Sequence, residues 1–254
     1  MIGVSYGDFN LQADGVTVTG TDVYSAPTNN IQADPLAERD GALIVKQQFG
    51  KKTFTVEGYI RKDTIIELEA ALDTFKLAMS KKNQGFDIDY AGGIRRYLAS
   101  AQNNIISRRG LTSAGFSVEF VSPDGMGWDL ESAVLISPTS ISVSNTTLAL
   151  SVGGSYKADP VVKVTVSAVT GGTSKTITLS NAATLRSVSV TRTWTAGDVL
   201  EIDTLKGSVL VNGIAHDFTG QLLSFDPGDG GIGYLDDFTT RTVALEASYT
   251  KRWL

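Results

Sequence analysis

Cysteine is absent from this chain and histidine occurs once, as His216. Those two absences remove disulfide scaffolds, thiolate-bound zinc, iron–sulfur clusters, thiol nucleophiles and a histidine cage for a metal. Charge is sparse as well: 22 Lys+Arg against 27 Asp+Glu among 254 residues leave a formal net charge of −5. Binding through phosphates needs a basic face, so this balance argues against wrapping nucleic acid. No run approaches the ~18 apolar residues of a membrane span. Met1–Asn10 has neither the basic nor the apolar segment of a secretory leader, so the chain is expected on the aqueous side of the membrane. At 42% hydrophobic and 19% charged residues it is too apolar for a disordered chain and can bury a core. Its length suits one large domain or two ordinary ones.

The composition changes at the turn cluster Pro123-Asp124-Gly125-Met126-Gly127. The half at 1–124 carries 13 Lys+Arg and 15 Asp+Glu, the half at 125–254 carries 9 and 12, and Ser and Thr fill 24 of the 70 positions in 131–200. That Ser/Thr content favours strands and predicts an all-β second half. In the first half Ile65, Leu68, Leu72, Phe75 and Met79 recur at steps of 3 and 4, which predicts one helix over 64–82. Asp63 suits its N-cap, and Lys81, Lys82 and Gly85 suit its C-terminal end. Elsewhere the period is two. Phe54, Val56, Gly58 and Ile60 alternate with polar neighbours, as do Phe86, Ile88 and Tyr90, while Phe116, Val118 and Phe120 supply a last strand. Gly50-Lys51 between Ala42–Phe49 and Thr53–Ile60 reads as a hairpin. The stretch 21–41, with Pro27, Pro35, Asn29 and Asn30, reads as a long loop, and a loop of that length is often functional or an arm reaching a partner. In the second half, short alternating runs at 133–136, 140–143, 147–152, 161–169, 175–179, 187–192, 198–202, 208–211 and 242–249 predict a β-sandwich or jelly roll.

Several motifs carry a chemical reading beside a plainer one. Gly228-Asp-Gly-Gly-Ile-Gly233 spells the dinucleotide fingerprint, but no βαβ unit surrounds it, and a loop is the expectation. Asp226, Asp229, Asp236 and Asp237 offer oxygen ligands for calcium, an alternative left open here. Asp87 and Asp89, two apart on a strand, share one face about 6.5–7 Å apart, near the lower limit for an inverting glycosidase pair. Alternating charge on a half-buried strand gives the same spacing. His216-Asp217 lacks a nucleophile elbow to complete a triad. Asn145-Thr-Thr147 matches a glycosylation acceptor without a secretory signal. Arg95-Arg96 and Arg108-Arg109 read as solvated or interface charges, and Trp128 or Trp194 could stack on a sugar if exposed. No catalytic residue, cofactor site or metal site is assigned.

The order Arg39-Asp-Gly41-Ala42, a strand, Gly50-Lys-Lys-Thr-Phe-Thr-Val-Glu-Gly58-Tyr-Ile60, a helix with Leu68 and Leu72, then Phe86-Asp-Ile-Asp-Tyr90 and Arg95-Arg96-Tyr97 resembles the N-terminal domain of the distal tail (Dit) proteins of phages with long, non-contractile tails. Asp198-Val-Leu-Glu-Ile-Asp203, Val209-Leu-Val-Asn212-Gly213 and Pro227-Gly228 resemble the galectin-like C-terminal domain of that family. The resemblance implies a mainly β fold. A tail-tube-like β-sandwich with one helix would form rings through 1–124, followed by a galectin-like jelly-roll sandwich at 125–254. It implies a homo-hexamer at the virion's tail tip, made in the host cytoplasm, which joins the tail tube protein to the hub, tail-associated and receptor-binding proteins. DNA would pass through its channel without specific binding. The arm 21–41 would lie across the next subunit by strand addition, with Arg39, Asp40 and Gly41 at the junction. A carbohydrate-binding module or host-glycan adhesin is the alternative reading, and a glycan hydrolase a further one.

Overall fold

The computed structural model describes residues 3–37 and 39–254. The chain divides into two compact units, one running through Leu130 and the other Glu131–Trp253. The first unit is built from β1 (Val4–Tyr6), β2 (Phe9–Asn10), β3 (Val16–Thr21), β4 (Asn29–Pro35), β5 (Ala42–Phe49), β6 (Lys52–Arg61), α1 (Ile65–Ser80), β7 (Gln84–Tyr90), β8 (Gly93–Arg108), β9 (Ser113–Ser122) and the start of β10 (Gly127–Ile141). The long strand β8 serves three neighbours. Its Gly93–Ala99 half pairs with β7 and, through Arg95 and Arg96, with β10, and its Ser100–Arg108 half pairs with β9 across a register shift at Ala101/Asn103. Antiparallel pairing then runs β3–β6–β9–β8 on one side and β8–β7–β1–β2 on the other.

The alternation in β6 buries Phe54, Val56 and Ile60 as its period of two requires. Phe54, Phe86 and Phe120 meet with centroids 4.5 to 5.8 Å apart, and Tyr6 joins Phe120 at 5.0 Å. Each buried ring contributes about 1.5–3 kcal/mol through the apolar surface it removes from water. Helix α1 lays Leu68, Phe75 and Met79 on this core, and Phe75 packs on Phe116 at 4.9 Å. The helix begins one residue later than the sequence predicts, and Thr64 rather than Asp63 is its N-cap. Thr64 Oγ1 accepts from the Glu67 amide, and the Thr64 amide donates to Glu67 Oε2, both at 3.2 Å. Only Thr64 stands three residues before a carboxylate that can answer it, so the reciprocal box selects it. At the other end Lys81 caps in extended conformation, and Asn83 makes the left-handed turn. Gly85 therefore lies inside β7 and does not cap the helix.

Two expectations for the first unit are corrected. Ala42–Phe49 does not pair with Thr53–Ile60: β5 pairs with β4, while β6 lies between β3 and β9. The stretch 21–41 is likewise not a bare loop, because Asn29–Pro35 is a strand.

The second unit contains the rest of β10, then β11 (Thr146–Val152), β12 (Val161–Thr170), β13 (Lys175–Asn181), β14 (Ser187–Arg192), β15 (Val199–Asp203), β16 (Ser208–Val211), β17 (Ile214–Ala215), β18 (Thr219–Gly220), β19 (Gly228–Asp236) and β20 (Thr240–Trp253). One sheet runs β17–β16–β15–β12–β20–β10 and the other β11–β19–β13–β14–β18. Val162, Val164, Leu200, Ile202 and Leu245 from the first meet Ile177, Leu179, Val188, Val190 and Ile232 from the second in one core, which makes this unit a β-sandwich. The fold is mainly β with one helix, as the sequence indicates. The runs expected at 133–136 and 140–143 belong to a single strand, β10. Gly228–Gly233 is no loop but the start of β19, paired with β11 throughout and with β13 from Ile232 onward. Its glycines make room for neighbouring side chains: a Cβ on Gly231 would stand 3.0 Å from Thr147 Cγ2, and one on Gly233 2.4 Å from Ser180 Oγ. The Asn212-Gly213 turn between β16 and β17 has φ of 53° and 78°, the paired left-handed geometry that this dipeptide favours in two-residue hairpins.

Gly58 lies where three strands crowd, since a Cβ there would come 2.2 Å from the Thr17 carbonyl oxygen and 2.5 Å from Phe116 Cζ. Gly58→Ala must therefore disturb the β3–β6 ladder and is expected to destabilise the first unit by about 2–3 kcal/mol. A denaturant titration with separate tryptophan and far-UV signals should show the first unit's midpoint falling while the second unit's stays in place.

Candidate assembly surface

Strands β4 and β5 form a two-stranded ribbon that pairs with no other strand among the described residues. Every described residue from Asn29 to Pro35 and from Ala42 to Gln48 is exposed. The register sorts its side chains into two faces, with Ile31 opposite Gln47, Ala33 opposite Ile44 and Pro35 opposite Ala42, and Gln32 opposite Lys46 on the reverse. Facing residues share a side of a ribbon, so Ile31, Ala33, Pro35, Ala42 and Ile44 make one largely apolar face. Asn30, Gln32, Asp34, Lys46 and Gln48 make a mostly polar one. Val45 is the extra residue of a bulge between the two registers. Ile31, Leu43, Ile44 and Val45 are each 54–61% exposed, far above what a residue in a core retains. A two-stranded ribbon with no core of its own is marginal in water, and exposed apolar surface on it marks an interaction site.

At the ribbon's tip the Leu36 amide donates to the Gly41 carbonyl at 3.1 Å, and Gly41 has φ of +114°. Arg39 and Asp40 are exposed there, between the two strands. Glu38 lies outside the described residues.

The root of the ribbon is tied to the body of the first unit. The Gly50 amide donates to Thr28 O at 2.7 Å, and the Thr28 amide donates to Lys51 O at 3.4 Å. The Thr55 amide donates to Asp22 Oδ1 at 2.6 Å. Lys52, the first residue of β6, is only 1% exposed, and its Nζ donates to Val23 O at 2.9 Å and to the Tyr97 hydroxyl at 3.1 Å. Gly125 packs against Gly50 and Pro27, where a Cβ would be 2.4 Å from the Gly50 oxygen. Tyr24 meets Tyr90 edge-on at 5.2 Å, and Arg95 lies 4.0 Å over the Tyr90 ring. Sequence reasoning missed both β4 and Lys52. The alternation of Ile31, Ala33 and Pro35 with Gln32 and Asp34 was a readable strand signal, whereas no pattern marks a lysine for burial.

The remaining sequence candidates sit apart from this surface or are occupied. Asp87 and Asp89 line one shallow depression of about 180 Å³ with Gly3, Val4, Ser5, Asn10 and Ile94. Both Asp87 oxygens accept from Arg96, at 2.6 and 2.7 Å, so that carboxylate is engaged in a bidentate ion pair within its own sheet. Arg108 is also used within the unit, on the Gly110 and Leu111 carbonyls. His216 is half-buried, with Nδ1 2.9 Å from the Asp217 carbonyl oxygen. Among the described residues no three potential ligands gather for a metal. Asp236 is buried against Arg241 Nε at 2.8 Å, Asp237 accepts from the Thr176 amide, and Asp226 and Asp229 are exposed. Trp194 is buried with Nε1 donating to Lys175 O, so it offers no stacking platform, and Trp128 Nε1 donates to Asp124. Asn145 makes the left-handed turn before β11.

Residues 153–253 match the family described as "Siphovirus-type tail component, C-terminal domain". Among solved structures, the Dit protein (gp 19.1) of phage SPP1, described as a paradigm of the hub adsorption apparatus in phages infecting Gram-positive bacteria, aligns over 100% of both chains with a TM-score of 0.71 at 12% identity. A chain of the phage P2 baseplate aligns over 99% of this chain and 98% of its own, with a TM-score of 0.46 at 5% identity. No curated protein sequence matches. The resemblance to distal tail proteins is borne out: the second unit carries the tail-component domain, and the whole chain shares the fold of a Dit protein.

In the free chain, amide hydrogen exchange should find the ribbon to be the least protected paired segment. Backbone amides of β4 and β5 are expected to exchange within roughly an order of magnitude of unstructured rates, while those of β6 and β9 stay slow.

Proposed function

We propose that this protein is the distal tail protein of a long, non-contractile-tailed phage. Six copies form a ring at the tail tip, which joins the tail tube to the hub and its tail-associated and receptor-binding proteins, and encloses the DNA channel. The observation that carries this reading is the rooted ribbon with one apolar face and no partner within its own chain. In the ring, that face lies on the next copy, and Arg39, Asp40 and Gly41 at its tip stand at the junction. Heterologous contacts of this kind close into a ring when the rotation between copies permits it. An acidic chain suits a channel for DNA, because like charge prevents tight phosphate contacts. The role is structural rather than catalytic, in keeping with the Arg96 ion pair on Asp87 and with His216 meeting only the Asp217 carbonyl. No observation favours a sugar site in the second unit, whose Trp194 is core.

Light scattering on the purified protein should give a mass near six times 27.0 kDa, and Ile31→Asp with Ile44→Asp should reduce it to the monomer. Both residues are exposed in the single chain, so the melting temperature of that double variant should stay within about 2 °C of the original. A monomer for the unsubstituted protein at every concentration, with and without a tail tube protein, would overturn the ring.

A further inference from the structure

Lys52 follows the ribbon directly, and its side chain is buried without a carboxylate partner. Its hydrogen bonds go to two neutral acceptors on different segments: Val23 O, in the turn between β3 and the ribbon, and the Tyr97 hydroxyl on β8. Nζ lies 4.5 Å from the Tyr97 ring centroid. Directly across the β6–β9 ladder stands Ser122, whose buried hydroxyl makes no hydrogen bond. A buried ammonium needs charge-bearing partners to offset the loss of water, and here it has few. The charged and titratable groups around it are Asp22 and Tyr24 ahead of the ribbon, Tyr90 on β7, and Arg95 and Tyr97 on β8. A neutral amine suits the same place better, since it can donate to Val23 O and accept from the Tyr97 hydroxyl.

We propose that Lys52 is a protonation-sensitive latch on the ribbon, whose neutral amine holds the root closed and whose uptake of a proton favours the root's opening. Burial pushes the Lys52 ammonium down to about 8 from its ordinary 10.5, Arg95 acts in the same direction, and Asp22 opposes them. With the root open, Lys52 meets water and returns towards 10.5. Between those two values the open form holds a proton that the closed form lacks. Opening then takes up a proton, and each rise of one pH unit makes it up to tenfold rarer. Below about 8 both forms are protonated and the opening constant sits on its high plateau. Burial raises the Tyr90 and Tyr97 phenols above their ordinary values, away from the pH range of the test below. If the ribbon is the joining arm, as proposed above, the device makes arm release easier at neutral than at alkaline pH.

Hydrogen exchange on the full chain, corrected for the intrinsic rate at each pH, tests this at the root amides of Asp22, Thr28, Gly50 and Thr55. Protection there should rise about tenfold between pH 7.5 and 9, stay flat in Lys52→Met, and leave β9 and the second unit unchanged. Lys52→Gln serves if the methionine variant does not fold, because its amide can still donate to Val23 and carries no titrating charge. A flat profile in the unsubstituted protein overturns the latch. So does an equal rise in the variants or throughout the first unit. These amides report on the chain whether or not rings form, so failure of the ring reading and failure of the latch are separate results.

Discussion

A two-stranded ribbon satisfies its backbone but cannot bury its side chains, and that constraint organises the first unit of this protein. Strands β4 and β5 bond each other along seven register pairs, yet leave Ile31, Leu43, Ile44 and Val45 in water. Nothing in the ribbon offsets the conformational entropy of holding it straight. Its direction must therefore be set at the root, by groups that belong to the aromatic core. Gly50, Gly125 and Pro27 close the backbone there, and Lys52 reaches through the core edge to Tyr97. The aromatic cluster of Phe54, Phe86 and Phe120 thus stabilises the body of the unit and also fixes the platform from which the ribbon leaves.

The second unit solves a different problem, that of closing a sandwich with strands poor in bulky residues. Strand β19 runs between β11 and β13 and contains four glycines at 228, 230, 231 and 233. Glycine weakens a strand through entropy and through the packing it fails to supply. The neighbours compensate, since Leu150, Thr147 and Ser180 lean into the space that the missing Cβ leaves at Gly230, Gly231 and Gly233. On the inner side Ile232 and Tyr234 still reach the core. The result is a paired central strand whose composition reads as a loop.

That strand shows where the sequence stops being legible. Period-two and period-3.6 patterns reveal β6, β7, β9, α1, β14 and β16 because each buries one face, and burial is what writes a pattern. Strand β4 of the ribbon escapes the same reading, since its two faces are both exposed and its short alternation is set among Pro27, Asn29, Asn30 and Pro35. Thr64 was concealed by its neighbour Asp63, which is as good a cap in isolation; only the carboxylate at Glu67 decides between them. The resemblance to distal tail proteins was visible in turn and strand order, and the full-length likeness in fold agrees with it. Lys52 was beyond any pattern, because its burial depends on Val23 and Tyr97, which are 29 and 45 residues away.

An exposed apolar ribbon would be an aggregation hazard if any strand could pair with it, and its details restrict what can. Pro35 lacks an amide donor at one end of β4, the bulge at Val45 breaks the flat edge of β5, and Lys46 adds a charge beside it. These are devices that blunt edge-to-edge pairing. They leave the apolar face as the feature through which the ribbon can gain free energy, and a face is selective for shape in a way an open edge is not. A contact made by a face also leaves the hydrogen bonds of the ribbon intact, so docking need not remodel it. The ribbon is therefore built to meet a complementary surface as a finished element, held at its root and guarded along its edges. Those are the properties on which the proposed ring draws.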